Sequence, residues 1–129
     1  MNEHSEQVVC ELSRKAQQFR LQVLDMVFGV QGGHLGGSFS AAEIMTCLYF
    51  HHLRLDPARP DWPERDRFLL SKGHAVPMLY AILAARGFLR WEELNTFRRL
   101  GSRLAGHPER CRTPGVDMSA GPLGHGVSV

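Results

Sequence analysis

Four of the seven histidines in this chain directly follow a glycine: His34, His74, His107 and His125. Three of them sit in loops of one design, Gly33-His34-Leu35-Gly36-Gly37-Ser38, Ser71-Lys72-Gly73-His74-Ala75 and Ala105-Gly106-His107-Pro108-Glu109. Histidine titrates near neutral pH, so it can donate, accept or move a proton under ordinary conditions. A preceding glycine lets the backbone come close to a ligand. One Gly-His pair carries no information, because a loop histidine is ordinarily capped or solvated. Three, each at the end of a different element, can converge on one cleft. A fourth loop, Ser119-Ala120-Gly121-Pro122-Leu123-Gly124-His125-Gly126, reads as the entry to a helix whose free N–H groups suit a polar ligand. Its spacing is neither a dinucleotide fingerprint nor a P-loop.

Helices must hold these loops. Val9, Leu12, Ala16, Phe19, Val23 and Met26 form one apolar stripe at spacings of three and four, which predicts a first helix ending at Gly29. Residues 29–40 read as a glycine-rich loop. Ser40 with Glu43 reads as a capping box opening a second, buried helix over 41–53. The apolar run Arg67-Phe68-Leu69-Leu70-Ser71 predicts a short strand of a parallel sheet, with ligand chemistry at its C-terminal end. A third helix is predicted over 76–86, with Pro77 in its first turn and Gly87 at its stop. A short helix follows over 91–97, and residues 101–126 read as loop.

Composition narrows the function classes. The 129 residues are 43% hydrophobic and 22% charged, an ordinary globular balance for one domain. A formal net charge of +2 lacks the basic excess of a dedicated nucleic-acid binder. Between Asp25 and Arg54 only Glu43 is charged, but glycines and polar residues interrupt that stretch, so no membrane span is expected. The N-terminus carries acid where a signal peptide carries base. Cys10, Cys47 and Cys111 are single and unpaired in sequence, which fits a reducing cytoplasmic setting, with Cys10 and Cys47 as packed core thiols. Arg98, Arg99 and Arg103 read as a solvated face, or else as a surface for phosphorylated ligands or a partner's acidic surface.

The four loops, in this order and at these intervals, resemble the N-terminal, diphosphate-binding part of transketolases, from about residue 20 to the end. The resemblance is closest to the split form, in which this half is a separate subunit. It is carried by Gly-Gly-His-Leu-Gly-Gly-Ser, Asp66 to Ala75, Gly106-His107-Pro108-Glu109, and Thr113-Pro114-Gly115-Val116 leading to Gly121-Pro122-Leu123-Gly124. The Gly-His-Pro-Glu and Gly-Pro-Leu-Gly loops favour this family over other thiamine enzymes.

The resemblance implies an α/β chain forming part of a three-layer, doubly wound parallel-sheet fold, helix-rich here, with residues 1–129 an incomplete domain. It implies thiamine diphosphate as cofactor and Mg2+ or Ca2+ in the complete enzyme. It implies transfer of a two-carbon ketol unit from a ketose phosphate to an aldose acceptor, in the carbohydrate metabolism of the pentose phosphates. By matching position, His34, His74 and His107 are catalytic. His34 and His107 contact substrate, while His74, Gly121, Pro122 and Leu123 meet the cofactor. Lys72 and Arg67 also match, although a charge pair of Arg67 with Asp66 is a simpler account. Implied partners are sugar phosphates and a complementing C-terminal subunit, within a homo- or hetero-oligomer.

The chain departs from the family at His125, at Ser119-Ala120 and at Gln31-Gly32. The family's metal-holding Gly-Asp-Gly segment and its aminopyrimidine-activating glutamate are not among these residues. Gly126-Val127-Ser128-Val129 reads as the first turn of an apolar helix, and the chain is expected to be truncated. The alternative expectation is a non-catalytic remnant or interaction module of the same fold.

Overall fold

The computed structural model describes residues 3–124. The helical turn expected at Gly126-Val127-Ser128-Val129 and the family departure at His125 lie outside them. The predicted amphipathic helix is α1, Glu3–Gly29. Its stripe is buried only in its C-terminal half, at Ala16, Phe19, Val23 and Met26, with Val27 beside it. Val9 is 51% exposed, because α1 runs out past the layer it covers.

The glycine-rich segment is not all loop. Leu35–Phe39 forms a short helix, α2, followed by α3, Ala42–Cys47. α3 continues without a break as a π-turn over Leu48–His52, close to the expected end of the second helix. The capping box is absent. Ser40 instead ends α2, and the side chain of Glu43 accepts from Arg20 on α1 at 2.5 and 2.7 Å. A two-pronged guanidinium partner outcompetes a single backbone N–H for that carboxylate. This second helix is also less buried than expected, with Ile44 66% exposed. Cys10 is exposed and Cys47 half-buried, so the first is no core thiol.

α4, Val76–Ala85, is the centre of the molecule. Every residue from Val76 to Ala84 is buried, with Pro77 in the first turn and Gly87 (φ 87°) just past the end. α1 and α3 pack on it from one side. The 3-10 turn Trp91–Thr96 packs on it as well, through Leu94 and Phe97.

No strand forms among the described residues. The predicted strand at 67–71 has its backbone bonded elsewhere. Phe68 N–H donates to the Asp117 carboxylate at 2.9 Å, and Ser71 N–H donates to Leu69 O at 3.1 Å. A parallel strand needs a ladder partner, and the described chain supplies none beside this run. Asp66 is not the partner of Arg67; it accepts from the Arg54 backbone at 2.7 Å and its guanidinium at 3.2 Å.

The buried charge here is Arg65 against Asp117, a two-pronged pair whose side chains are 4% and 6% exposed. Arg65 also donates to Pro60 O at 2.5 Å and Asp66 O at 3.0 Å, and Arg67 donates to Asp117 at 3.3 Å. The pair ties residues 52 apart in sequence and fixes the path of the C-terminal loop. Burial raises the Asp117 pKa, but the bonds from Arg65, Phe68 and Arg67 outweigh it and hold the carboxylate below its usual range.

Asp117→Asn therefore leaves Arg65 buried without its counter-charge and is expected to cost about 3 kcal/mol or more of stability. Urea denaturation at pH 7 checks it. Because the Asp117 pKa is lowered on folding, its contribution is complete above the unfolded carboxylate pKa of about 3.9 and fades as pH falls through the lower folded value. The cost of Asp117→Asn is thus expected to shrink in denaturation curves taken below pH 4.

Candidate functional site

Three loops bring their histidines into one row. His34 lies just ahead of α2, His74 in the 3-10 turn Gly73–Ala75 that opens α4, and His107 in the loop after residue 101. The ring centroids of His34 and His74 are 4.5 Å apart, and those of His74 and His107 are 4.7 Å apart. Both pairs meet edge to face, at 82° and 90°. His74 is therefore the middle ring, touching both others.

The third loop is held from α4. The Tyr80 hydroxyl donates to Ala105 O at 3.1 Å, with His107 O at 3.3 Å. Burial pushes the Tyr80 pKa up strongly, so the hydroxyl stays a donor. From the other side, the C-terminal loop is stitched to the His107 loop. Ala120 N–H donates to Pro108 O at 3.1 Å, and Arg110 N–H donates to Ser119 Oγ at 3.0 Å. Thr113 Oγ1 donates to Arg103 O at 2.7 Å.

Gly73 has a steric reason to be glycine. A Cβ there would stand 3.0 Å from Ala120 C and from Gly121 N. The missing side chain lets the Ala120–Gly121 peptide lie directly on the turn that carries His74. Gly121 in turn lies on the His107 ring, where a Cβ would be 3.2 Å from Cγ. Of the fourth loop, Gly121 thus lies against His107, and Pro122 and Leu123 are exposed beyond it.

His107 Nε2 is buried and has no hydrogen-bond partner. Burial lowers the His107 pKa, and the neighbouring His74, His34 and Arg98 lower it further. The ring is neutral near pH 7, with a buried nitrogen awaiting a partner. Lys72 donates to Ser40 Oγ at 2.8 Å. Beside His34, an apolar groove of about 360 Å³ runs between Leu24, Phe28 and Leu35 up to Gly33. Among the described residues no group of three or more His, Cys, Asp or Glu side chains is arranged to hold a metal ion, and no helix is long and apolar enough to cross a membrane.

The sequence pattern missed Tyr80 and the Arg65–Asp117 pair. A tyrosine in an otherwise wholly apolar helix was the available signal for Tyr80, since a buried hydroxyl needs an acceptor. Nothing local marked Asp117, whose partners are about fifty residues away.

An NMR titration of the His107 ring is expected to show a midpoint below the ordinary 6.5. Protonation favours the unfolded chain at this position, so His107 is expected to subtract stability as pH falls below 6.5 and to have no such effect above it. A midpoint at or above 6.5 would contradict this. Gly73→Ala is expected to displace the Ala120–Gly121 peptide and cost about 1–3 kcal/mol, read by thermal denaturation.

Residues 12–129 match the family model described as transketolase, thiamine diphosphate binding domain. A 6-deoxy-6-sulfo-D-fructose transketolase subunit, SqwG, of Clostridium sp. is 44% identical over 96% of this chain and 45% of its own length. One of the apulose-4-phosphate transketolase subunits of Phocaeicola vulgatus is 40% identical over 92% of this chain and 42% of its own. Among solved structures, a transketolase from Leishmania mexicana superposes with a TM-score of 0.85 at 38% identity, over 91% of this chain and 18% of that one. This chain thus spans less than half the length of the relatives it matches. A match running through all three histidine loops, on a backbone shared with solved transketolases, means that the chain belongs to the transketolase family, within its thiamine diphosphate binding domain.

Proposed function

We propose that this chain supplies the diphosphate-facing part of a site for thiamine-diphosphate-dependent ketol transfer, completed by the further C-terminal part of a longer transketolase chain or by a complementing partner subunit. The observation that carries the reading is the perpendicular row His34–His74–His107, with Gly121 against its buried end. Relatives named as separate transketolase subunits support a two-chain arrangement. A transketolase of Pichia stipitis in complex with sedoheptulose-7-phosphate superposes with a TM-score of 0.83 at 37% identity, over 90% of this chain and 17% of that one, and supports sugar phosphates as the substrate class.

The residues present fit the cofactor. The His107 Nε2 is buried without a partner, and the glycine cradle at Gly73 and Gly121 leaves backbone close to the rings. When bound, thiamine diphosphate supplies the electron sink for cleaving the bond beside a ketose carbonyl. His74, central in the row, would face the diphosphate and the substrate. The backbone of Gly121 and Leu123 would hold the aminopyrimidine, with Pro122 fixing the turn between them. His34 and His107 bind substrate hydroxyls and move protons at their ring nitrogens. A neutral His107 accepts a proton more readily than a charged one, and its environment favours the neutral form. A divalent cation, Mg2+ or Ca2+, accompanies the diphosphate, and none of the described residues is assigned to it.

The complementing subunit covers the edge beside His34, where Phe28 is 86% exposed next to the apolar groove. Within the complete diphosphate-binding domain the run at 67–71 would be a strand of the doubly wound parallel sheet. The setting proposed is cytoplasmic, in pentose phosphate metabolism, as a homo- or hetero-oligomer, and neither nucleic acid nor membrane is among the proposed partners.

The test combines this chain with a complementing C-terminal subunit, thiamine diphosphate and Mg2+, and assays two-carbon transfer from a ketose phosphate to an aldose phosphate. Transfer is expected, and His107→Ala is expected to lower kcat by about 10²–10⁴-fold. Absence of transfer to any aldose phosphate, also from a longer version that carries the family's metal-holding Gly-Asp-Gly segment, overturns the reading in favour of a non-catalytic module. Calorimetry of this chain alone with cofactor and Mg2+ is expected to give binding no tighter than about 1 mM.

A further inference from the structure

Arg98 is one of two non-glycine residues with positive φ among the described residues, at 56°. That conformation costs an L-residue roughly 1–2 kcal/mol, and glycine adopts it freely. The turn is closed by the backbone alone: Arg98 N–H donates to Leu104 O at 2.8 Å. Arginine therefore contributes nothing to the turn that glycine would not, and its side chain is what the position uses.

That side chain runs between two of the histidine loops. A Cβ on Gly106 would lie 3.3 Å from Arg98 Nε and 3.5 Å from Cδ, so the stem lies along Gly106. A Cβ on Gly32 would lie 3.0 Å from Nη1, so the guanidinium lies against Gly32. Gly106 immediately precedes His107, and Gly32 is two residues before His34. Both glycines are open to Arg98 because neither has a side chain. Nearby arginines are held by acids: Arg103 by Glu93 at 2.7 Å and Arg112 by Glu109 at 3.1 Å. The Arg98 guanidinium has no such partner among the described residues.

We propose that Arg98 is a positioning residue: it bridges the loops that end in His34 and His107 and sets a fixed positive charge beside the row of rings. The groups facing His107 are the His74 ring from the Gly73–Ala75 turn, His34 from the entry of α2, Arg98, the Gly121 backbone, and Tyr80 at its carbonyl. Arg98 alone among them carries a permanent charge. Its field opposes protonation of His107 and adds to burial and to the neighbouring histidines, which act more strongly. As a bridge it holds the outer rings at the spacing that lets His74 touch both.

The test uses this chain alone and does not depend on the ketol-transfer reading. Arg98→Gly removes bridge and charge but relieves the left-handed backbone. Its urea midpoint is expected to hold or rise, which separates a site role from loss of fold. In the same variant the ring-to-ring NOEs between His34 and His74 are expected to weaken, and the His107 titration midpoint to rise by about 0.3 pH units or more. Arg98→Gln keeps most of the stem and is expected to raise the midpoint while retaining the NOEs. Arg98→Lys is expected to keep the midpoint within about 0.1 of the parent chain, since the charge remains. An unmoved His107 midpoint together with unchanged NOEs in Arg98→Gly overturns the proposal.

Discussion

The structure depends on the burial of nearly all of α4, from Val76 to Ala84. A helix with no solvent face imposes cover from every direction, and the described elements supply it: α1 and α3 on one side, the 91–96 turn and the loops beyond it on another. Within such an environment one polar group is conspicuous in cost. A buried hydroxyl without an acceptor costs on the order of 1–3 kcal/mol. Tyr80 meets that demand by bonding the Ala105 carbonyl, with the His107 carbonyl nearby. The same helix begins at the turn carrying His74. Two of the three histidines are therefore placed by α4, one through its N-terminal turn and one through its single hydroxyl.

The third constraint reaches the site from farther away. The loop carrying Gly121 has no regular structure of its own, so long-range bonds must fix its path. Asp117 does this through Arg65, Arg67 and the Phe68 N–H, and the peptide at Ala120 then falls on Gly73. A buried ion pair contributes little net stability when complete, yet it is costly to break. Its value here is specificity of path: few other routes for residues 113–121 satisfy both Arg65 and the crowded contact at Gly73.

Chemistry was more legible in the sequence than architecture. The three Gly-His loops met as their spacing and order suggested, and α4 and the 91–96 turn fell where Pro77, Gly87 and the apolar run placed them. Both signals are local, since they depend on residues within a few positions. What failed was decided at long range. The Ser40–Glu43 pair has the spacing of a cap, but Arg20, 23 residues away, claims the carboxylate. The run at 67–71 has strand composition, but a strand is a property of a pair, and no described residue pairs with this run in a ladder. Leu35–Phe39 hides a helical turn among glycines whose propensity argues against one.

The placement of the histidines on loops, rather than on helix faces, has a consequence for how the site can work. Loops bring three rings into contact without committing any helix to face the ligand, but they leave ring spacing open to small shifts. The chain answers with fixed points at each loop: Tyr80 for His107, the Gly73 contact for His74, and Arg98 between the first loop and the third. Each fixed point uses an absence of bulk on the loop side, at Gly32, Gly73, Gly106 and Gly121. Glycine in these loops thus serves packing against the supporting residues as much as approach to a ligand. The rings end up crowded, and the buried His107 Nε2 is left without a hydrogen-bond partner, which costs free energy relative to a solvated nitrogen. Binding a ligand that supplies the missing hydrogen bond at His107 Nε2 recovers part of that cost, which couples ligand affinity directly to how tightly the three loops are held together.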